Sequence, residues 1–289
     1  MKSWFTIHPL FHDLAQFILG DVCVRCTASD TCVLSDKTRY FSFLPAPHEP
    51  IKLKELYATM SLRSLLILCQ DGMDLAPIKQ LPYDLFLMLR SLRVLCLANL
   101  PTSDLPDSIG TLKHLRFLDL SNTSITRLPE SVSTLCNLQT LLLNDCRKLI
   151  ELPTDFGNLI NLRQIRMVGC DKLKKMPDGV GRLTNIQTCS DFFVGKTNGY
   201  RVSELGNLFQ LRGELTIARL ENVENNMDAM KANMKMKQYL HTLILKWNDT
   251  QRGNSRDAES EEQIVNFLQP HANLKILVIL SYGGLRFPS

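Results

Sequence analysis

The sequence predicts an α/β fold: a curved solenoid, or horseshoe, with a parallel sheet on its concave side and irregular or short helical segments on its convex side. Three observations carry the prediction. A frame L-x-x-L-x-L recurs as Leu92-Arg-Val-Leu95-Cys-Leu97, Leu115-Arg-Phe-Leu118-Asp-Leu120, Leu138-Gln-Thr-Leu141-Leu-Leu143 and Leu162-Arg-Gln-Ile165-Arg-Met167. The second apolar positions of successive copies fall at residues 65, 95, 118, 141, 165, 189, 215, 243 and 277, so the spacing is 23 or 24 residues in the centre and drifts at both ends. A period in this range marks stacked units, because one such unit cannot bury its apolar face alone. Finally, Leu105-Pro106, Leu128-Pro129, Leu152-Pro153 and Met176-Pro177 follow the central copies.

Each part of the repeat has a physical reason. Side chains alternate between faces along a strand, so the fourth and sixth residues of the frame point to the core and the third, fifth and seventh to solvent. Nine such strands at roughly 4.8 Å give a concave surface on the order of 40 Å long. The ninth position carries Thr123, Cys146 and Cys170, small side chains able to hydrogen-bond backbone as the chain turns off the sheet, and these read as structural. The spacer proline fixes φ and withholds a donor, which argues against a second sheet on the convex side. Leu112, Leu135, Leu159 and Leu183 close the spacers and anchor that side. The segment from Asn226 to Tyr239, with Met227, Met230, Met234 and Met236, reads as a convex-side helix whose methionines fill the core. Residues 249–262 hold no hydrophobic residue except Ala258 and read as a disordered insertion. The repeats are expected over 61–289, after a linker and cap over 21–60.

Composition narrows the class of function. The chain has 289 residues, 45% hydrophobic and 21% charged, which suffices for a large core. A net charge of +4 falls short of the basic footprint of a nucleic-acid binder. Apolar runs reach about five residues, as at Ile276 to Leu280, against the roughly 20 needed to span a bilayer. No membrane partner is therefore expected. The amino terminus interrupts its apolar residues with His8, His12 and Asp13 and so does not read as a secretory leader. Nine cysteines, an odd number, fit reduced thiols in the cytoplasm, with the nucleus open as a second compartment.

The frame resembles the leucine-rich repeat. Its spacer, L-P-x-x-(I/V/F)-(G/S)-x-L as in Leu105-Pro-Asp-Ser-Ile109-Gly-Thr-Leu112, is similar to repeats of plant nucleotide-binding leucine-rich-repeat (NLR) disease-resistance proteins. Ser203-Glu-Leu-Gly-Asn-Leu-Phe-Gln-Leu-Arg-Gly-Glu-Leu-Thr-Ile217, Leu220-Glu-Asn-Val223, Leu268-Gln-Pro-His271-Ala-Asn-Leu274 and Gly284-Leu-Arg-Phe-Pro288 resemble segments of the coiled-coil class of that family. Ile7-His-Pro-Leu-Phe-His-Asp-Leu-Ala-Gln16 resembles the end of the family's nucleotide-binding module, so residues 1–20 read as a remnant of its winged-helix end. The family's Met-His-Asp triplet, which senses ADP, is here Ile7-His8-Pro9. The phosphate-binding loop that should precede it is absent, and the sequence reads as incomplete at both ends. The resemblance implies a recognition and autoinhibitory region in plant defence, with a nucleotide-binding module and a pathogen effector or guarded host protein as partners. Alternatives are an ADP- or ATP-binding switch, with the nucleotide a cofactor only of a full-length relative, and a fragment without activity.

Other motifs fall short of a chemical site. Gly195-Lys196-Thr197 imitates the end of a phosphate-binding loop, but Ser190 stands where its first glycine would be, and no helix-forming stretch follows Thr197 before Asn198-Gly199. Cys23-Val-Arg-Cys26 with Cys32 has two thiols at metal spacing yet lacks a second pair, so free or structural thiols are expected. His12-Asp13 reads as a solvated or capping pair, and no nucleophile-elbow motif occurs. A non-enzymatic chain without catalytic, metal or cofactor residues is expected. The binding surface is assigned to the concave face. Arg63, Arg93, Arg116, Gln139, Arg163, Gln187, His241 and Lys275 form a nearly basic column at the frame's second position, and Arg166 adds a charge at a fifth position. Leu66, Phe117, Leu142 and Phe192 are expected exposed beside it, as anchors for a partner or as scattered surface residues. Such a column could equally be a solvated face.

Overall fold

The computed structural model describes residues 18–47, 56–57, 59–69, 78–196, 201–248 and 258–286. The segment expected as a winged-helix remnant lies outside them up to residue 17, and so do His12-Asp13 and Thr197. The second apolar position of every copy lies in a strand: β3 (Ser64–Ile67), β5 (Val94–Cys96), β7 (Phe117–Asp119), β8 (Thr140–Leu142), β9 (Gln164–Arg166), β10 (Thr188–Cys189), β12 (Arg212–Ala218), β13 (Tyr239–Lys246) and β14 (Ile276–Leu280). All their pairings are parallel. Leu95, Leu118, Leu141 and Ile165 are fully buried, as alternation requires, and each contributes about 2 kcal/mol through removal from water.

Two further strands, β1 (Cys23–Thr27) and β2 (Tyr40–Leu44), occupy the segment read as linker and cap and extend the same sheet in the order β1-β2-β3-β5-β7-β8-β9-β10. Phe41 and Phe43 take the inward positions there, so the repeat begins with an aromatic version of the frame. A four-stranded sheet, β11 (Asp191–Phe193), β12, β13 and β14, follows. Two short strands, β4 (Ile78–Gln80) and β6 (Thr102–Asp104), pair separately.

The opposite face is built from a short helix, α1 (Tyr83–Met88), and 3-10 turns at Asp107–Thr111, Glu130–Thr134, Phe156–Asn158, Val180–Arg182 and Val202–Asn207. Each 3-10 turn closes on a buried leucine, at Leu112, Leu135, Leu159, Leu183 and Leu208. Successive turns pack backbone to backbone. A Cβ on Gly157 would meet Gly179 O at 2.5 Å and one on Gly206 would meet Lys231 O at 2.5 Å, which explains the small residue in the spacer. Where the chain leaves the sheet, Asn99, Asn122, Asp145 and Gly169 adopt positive φ, a conformation that glycine and asparagine adopt most readily. Thr123 Oγ1 then donates to Leu120 O at 2.7 Å, Cys146 Sγ to Leu120 O at 3.1 Å and Cys170 Sγ to Leu143 O at 3.0 Å, the structural role expected of these residues.

Three expectations are corrected. Residues 258–262 are not disordered but open helix α3 (Ala258–Phe267): Ile264, Val265 and Leu268, beyond the polar window, give it a buried face, and Glu259 and Glu261 suit its N-terminal turn. The methionine segment forms only a short helix, α2 (Asn226–Lys231), and a 3-10 turn. Met234 is buried, whereas Met227, Met230 and Met236 are exposed, because Ala229 and Ala232 supply the packed face. Lastly, Cys26 and Cys32 form a disulfide, not free thiols, their Cα atoms being 6.1 Å apart; Cys23 remains free and exposed.

Candidate functional site

The second residue of each frame sits at the point where the chain enters a strand. There Arg93 N donates to Arg63 O at 2.7 Å, Arg116 N to Arg93 O, Gln139 N to Arg116 O and Arg163 N to Gln139 O, each at 2.8 Å. Backbone pairing thus holds these side chains in register at the strand spacing, about 4.8 Å per step. A ladder of asparagines secures the same edge. Asn137 Nδ2 donates to Lys113 O, Asn161 Nδ2 to Cys136 O and Asn185 Nδ2 to Ile160 O, at 2.8 to 2.9 Å. Arg93, Arg116 and Arg163 are exposed, and none makes an ion pair with another described residue. The basic column lies along the N-terminal rim of the sheet, one residue ahead of the concave floor on which it was expected.

The floor itself is two rows of outward side chains. Tyr40, Ser64, Val94, Phe117, Thr140 and Gln164 are in register across the strands at the third position. Ser42, Leu66, Cys96, Asp119, Leu142 and Arg166 follow at the fifth. Phe117, Leu142 and Leu66 are half-buried by their neighbours and Arg166 is exposed. The amino-terminal half of this floor is apolar: Leu68 and Tyr40 are exposed, and an open hollow of about 330 Å³ lies between Leu19, Tyr40 and Leu66. Asp119 accepts from Ser121 N at 2.9 Å, which fixes its carboxylate on the floor.

Phe192 is not on this surface. It is fully buried, and the reason lies one residue earlier. In the copy beginning at Ile186, the sixth position, which points to the core in other repeats, is Asp191. Burying that carboxylate would be costly, so the chain slips by one residue, Asp191 becomes half-buried and Phe192 turns inward. The slip coincides with the change from the eight-stranded to the four-stranded sheet. Burial raises the Asp191 carboxyl above the usual carboxylate range, and its Oδ2 has no hydrogen-bond partner among the described residues.

Two members of the basic column were missed. Arg39 precedes β2 and its guanidinium binds Asp36 O and Ser61 Oγ. Arg212 opens β12, with its N donating to Gln187 O at 2.8 Å. Gly213, at φ +79, inserts an extra residue between Leu211 and Leu215, and a search for L-x-x-L passes over it. The signal was present in Leu211-Arg212.

The remaining motifs gain nothing chemical. Val194, Gly195 and Lys196 leave β11 as extended chain and a bend. Burial raises the Cys69 thiol to about 11 and the Cys189 thiol to about 12, which suits packing and not nucleophilic attack.

Residues 202–289 match the family model described as R13L1/DRL21 LRRs, and residues 114–135 match the Leucine Rich Repeat model. Disease resistance protein RGA2 of Solanum bulbocastanum is 55% identical over 199 residues, covering 68% of this chain and 20% of RGA2. Disease resistance RPP13-like protein 1 of Arabidopsis thaliana is 36% identical over 303 residues, covering 99% of this chain and 28% of that protein. The chain therefore spans between a fifth and somewhat more than a quarter of the length of these relatives. Among solved structures, the functional domain of InlJ from Listeria monocytogenes superposes with a TM-score of 0.54 at 17% identity, over 78% of this chain and 44% of that one. The ectodomain of the Arabidopsis thaliana receptor kinase GASSHO1/SCHENGEN3, in complex with CASPARIAN STRIP INTEGRITY FACTOR 2, gives 0.53 at 20% identity, over 89% and 29%. At these identities the two structures establish the fold alone. No described helix is long and apolar enough to cross a membrane.

Proposed function

We propose, for a chain that is a leucine-rich-repeat region of the plant disease-resistance type, that it works as a non-catalytic protein-binding module in the defence response. Its partners in this reading are the nucleotide-binding module of an NLR receptor of the coiled-coil class, which it holds inactive, and a pathogen effector or guarded host protein, met in the cytoplasm or nucleus. The observation that carries the reading is the rim: exposed arginines without ion-pair partners among the described residues, held in register beside an apolar floor. Charge on a rim steers and orients a partner, while desolvated apolar side chains such as Phe117 and Leu142 supply most of the affinity. Arg166 on the floor joins the two. The chain carries no cofactor of its own; ADP or ATP belongs to the full-length relative.

Charge reversal tests the assignment. Capture of the nucleotide-binding module of a matching receptor is expected to fall at least about tenfold when Arg93, Arg116 and Arg163 are all replaced by Glu, with the melting temperature unchanged. Undiminished capture would remove the rim from the interface. Titration of ADP with Mg²⁺ into the chain is expected to give no heat of binding, and a saturable signal would favour the nucleotide switch instead.

A further inference from the structure

Far from the arginine rim, the C-terminal ends of β11, β12 and β13 enclose a hollow of about 330 Å³. Its shape follows from one register. Phe193, Ala218 and Lys246 stand side by side on the three strands and face the concave side, so a methyl group separates two long side chains. Trp247 continues the floor from the residue after β13 and packs against Tyr282, ring centroids 5.5 Å apart. Arg219, at φ +63 on the turn leaving β12, also lines the hollow, and its side chain makes no ion pair with a described residue. One carboxylate, Asp171, stands at the opposite edge.

We propose that this hollow binds a monoanion, a carboxylate carried on an apolar or aromatic group. Two cations against one carboxylate leave a single positive charge, which suits a monoanion better than a dianion such as phosphate. Asp191, whose carboxyl interacts with Lys246, does not line the hollow. Arg219 offers a planar fork that matches a carboxylate, and Lys246 adds a second donor. Phe193, Ala218 and Trp247 form the apolar floor, and all three are already buried, so a ligand's ring meets a preformed surface. The indole Nε1 of Trp247 is buried without a hydrogen-bond partner among the described residues, an uncommon state for a donor. A free small acid and the C-terminal residue of a peptide share this chemistry. The site owes nothing to the rim arginines, so it stands or falls separately from the proposed function.

The test is calorimetric titration of the whole chain with 3-phenylpropionate and with N-acetylphenylalanine, each beside its amide. Saturable binding of at least one acid is expected, with the matching amide at least about tenfold weaker. Binding of only N-acetylphenylalanine assigns the site to a peptide terminus, and binding of only 3-phenylpropionate to a small acid. Ala218→Leu, which fills the hollow, and Arg219→Asn, which keeps the left-handed turn, are each expected to weaken binding about tenfold or more. Lys246→Gln serves as a second charge variant if either of these melts early. Absence of saturable binding up to about 10 mM of both acids, equal binding of acid and amide, or indifference to all three substitutions overturns the proposal. Displacement of the acid by inorganic phosphate also overturns it.

Discussion

The eight-stranded sheet from β1 to β10 is made of strands two to five residues long, whereas β12 and β13 in the four-stranded sheet run seven and eight. Through its central repeats the first sheet copies one module. Leucine, or Ile165 and Met167 in the fourth copy, fills the fourth and sixth positions, a leucine closes each convex turn, and Thr123, Cys146 and Cys170 tie the exits from three strands. In the second sheet the same positions carry exceptions. Asp191 displaces Phe192, the β12–β13 register shifts between Gly213 and Glu214, and Lys237 closes the turn at Met234–Met236 where five earlier turns close on leucine. Lys237 has the backbone of those leucines, φ −92 and ψ 68, and is equally buried. The contrast teaches that a repeat fold concentrates its chemistry where the module is broken. The regular part offers a uniform rim, and the irregular part places Arg219, Lys246 and Trp247 around a hollow.

The sharpest way to break the comparison is to make one substitution at one frame position in both sheets. Leu141 in β8 is fully buried between β7 and β9, and its equivalent Leu277 in β14 is 42% exposed. Leu141→Ala is expected to cost about 3–4 kcal/mol in urea unfolding, through lost transfer energy and the cavity left behind. Leu277→Ala should cost less than about 1 kcal/mol, because less than a full side chain leaves water. Equal costs would mean that position in the frame, and not burial, sets the energy.

That contrast also explains what could be read from the sequence. Leu95, Leu118, Leu141 and Ile165 could be assigned inward from periodicity alone, since a strand has only two faces and the period holds. Phe192 could not, because its placement depends on the cost of burying Asp191, one residue earlier. The column of arginines was legible as a column, but its place on the rim depends on where strands begin, which backbone pairing decides. Ala218 is unremarkable in the sequence; only the parallel register sets it between Phe193 and Lys246. The cap strands escaped because Phe41 and Phe43 replace the leucines of the frame.

A smaller effect separates glycines kept for space from glycines kept for conformation. Gly157, between two convex turns of the first sheet, leaves no room for a methyl group, the backbone O of Gly179 lying 2.5 Å from an added Cβ. Gly157→Ala is expected to cost about 2–3 kcal/mol, because backbone cannot swing aside as a side chain can. Gly213 in the second sheet has open space around an added Cβ but sits at φ +79. Its replacement by Ala should cost about 1 kcal/mol, the strain of that conformation alone. Thermal unfolding of the two variants reads the difference, and a reversed order would show that the register shift at Gly213 contributes more than its conformation.

The smallest expected change sharpens the comparison most, since it makes the second sheet obey the rule of the first. Lys237 Nζ donates to Leu205 O at 2.6 Å and Leu208 O at 3.3 Å and lies 5.7 Å from the centre of the Phe209 ring, but no carboxylate among the described residues pairs with it. Desolvation lowers its ammonium from 10.5 to about 8, equivalent to a penalty of about 3 kcal/mol while the group is charged. Below pH 8 the folded and unfolded chains both hold the proton and the penalty is constant. Between pH 8 and 10.5 the folded chain releases the proton and the unfolded chain keeps it, so this residue makes the protein more stable as pH rises. Lys237→Leu restores the leucine of the other turns. It is expected to raise stability by about 1 kcal/mol at pH 7, after loss of the two hydrogen bonds, and to abolish the rise between pH 8 and 10.5. Denaturant titrations of both chains at pH 7, 9 and 10.5 measure this. A variant that is less stable than the parent at every pH would mean that the hydrogen bonds to Leu205 and Leu208 outweigh the buried charge.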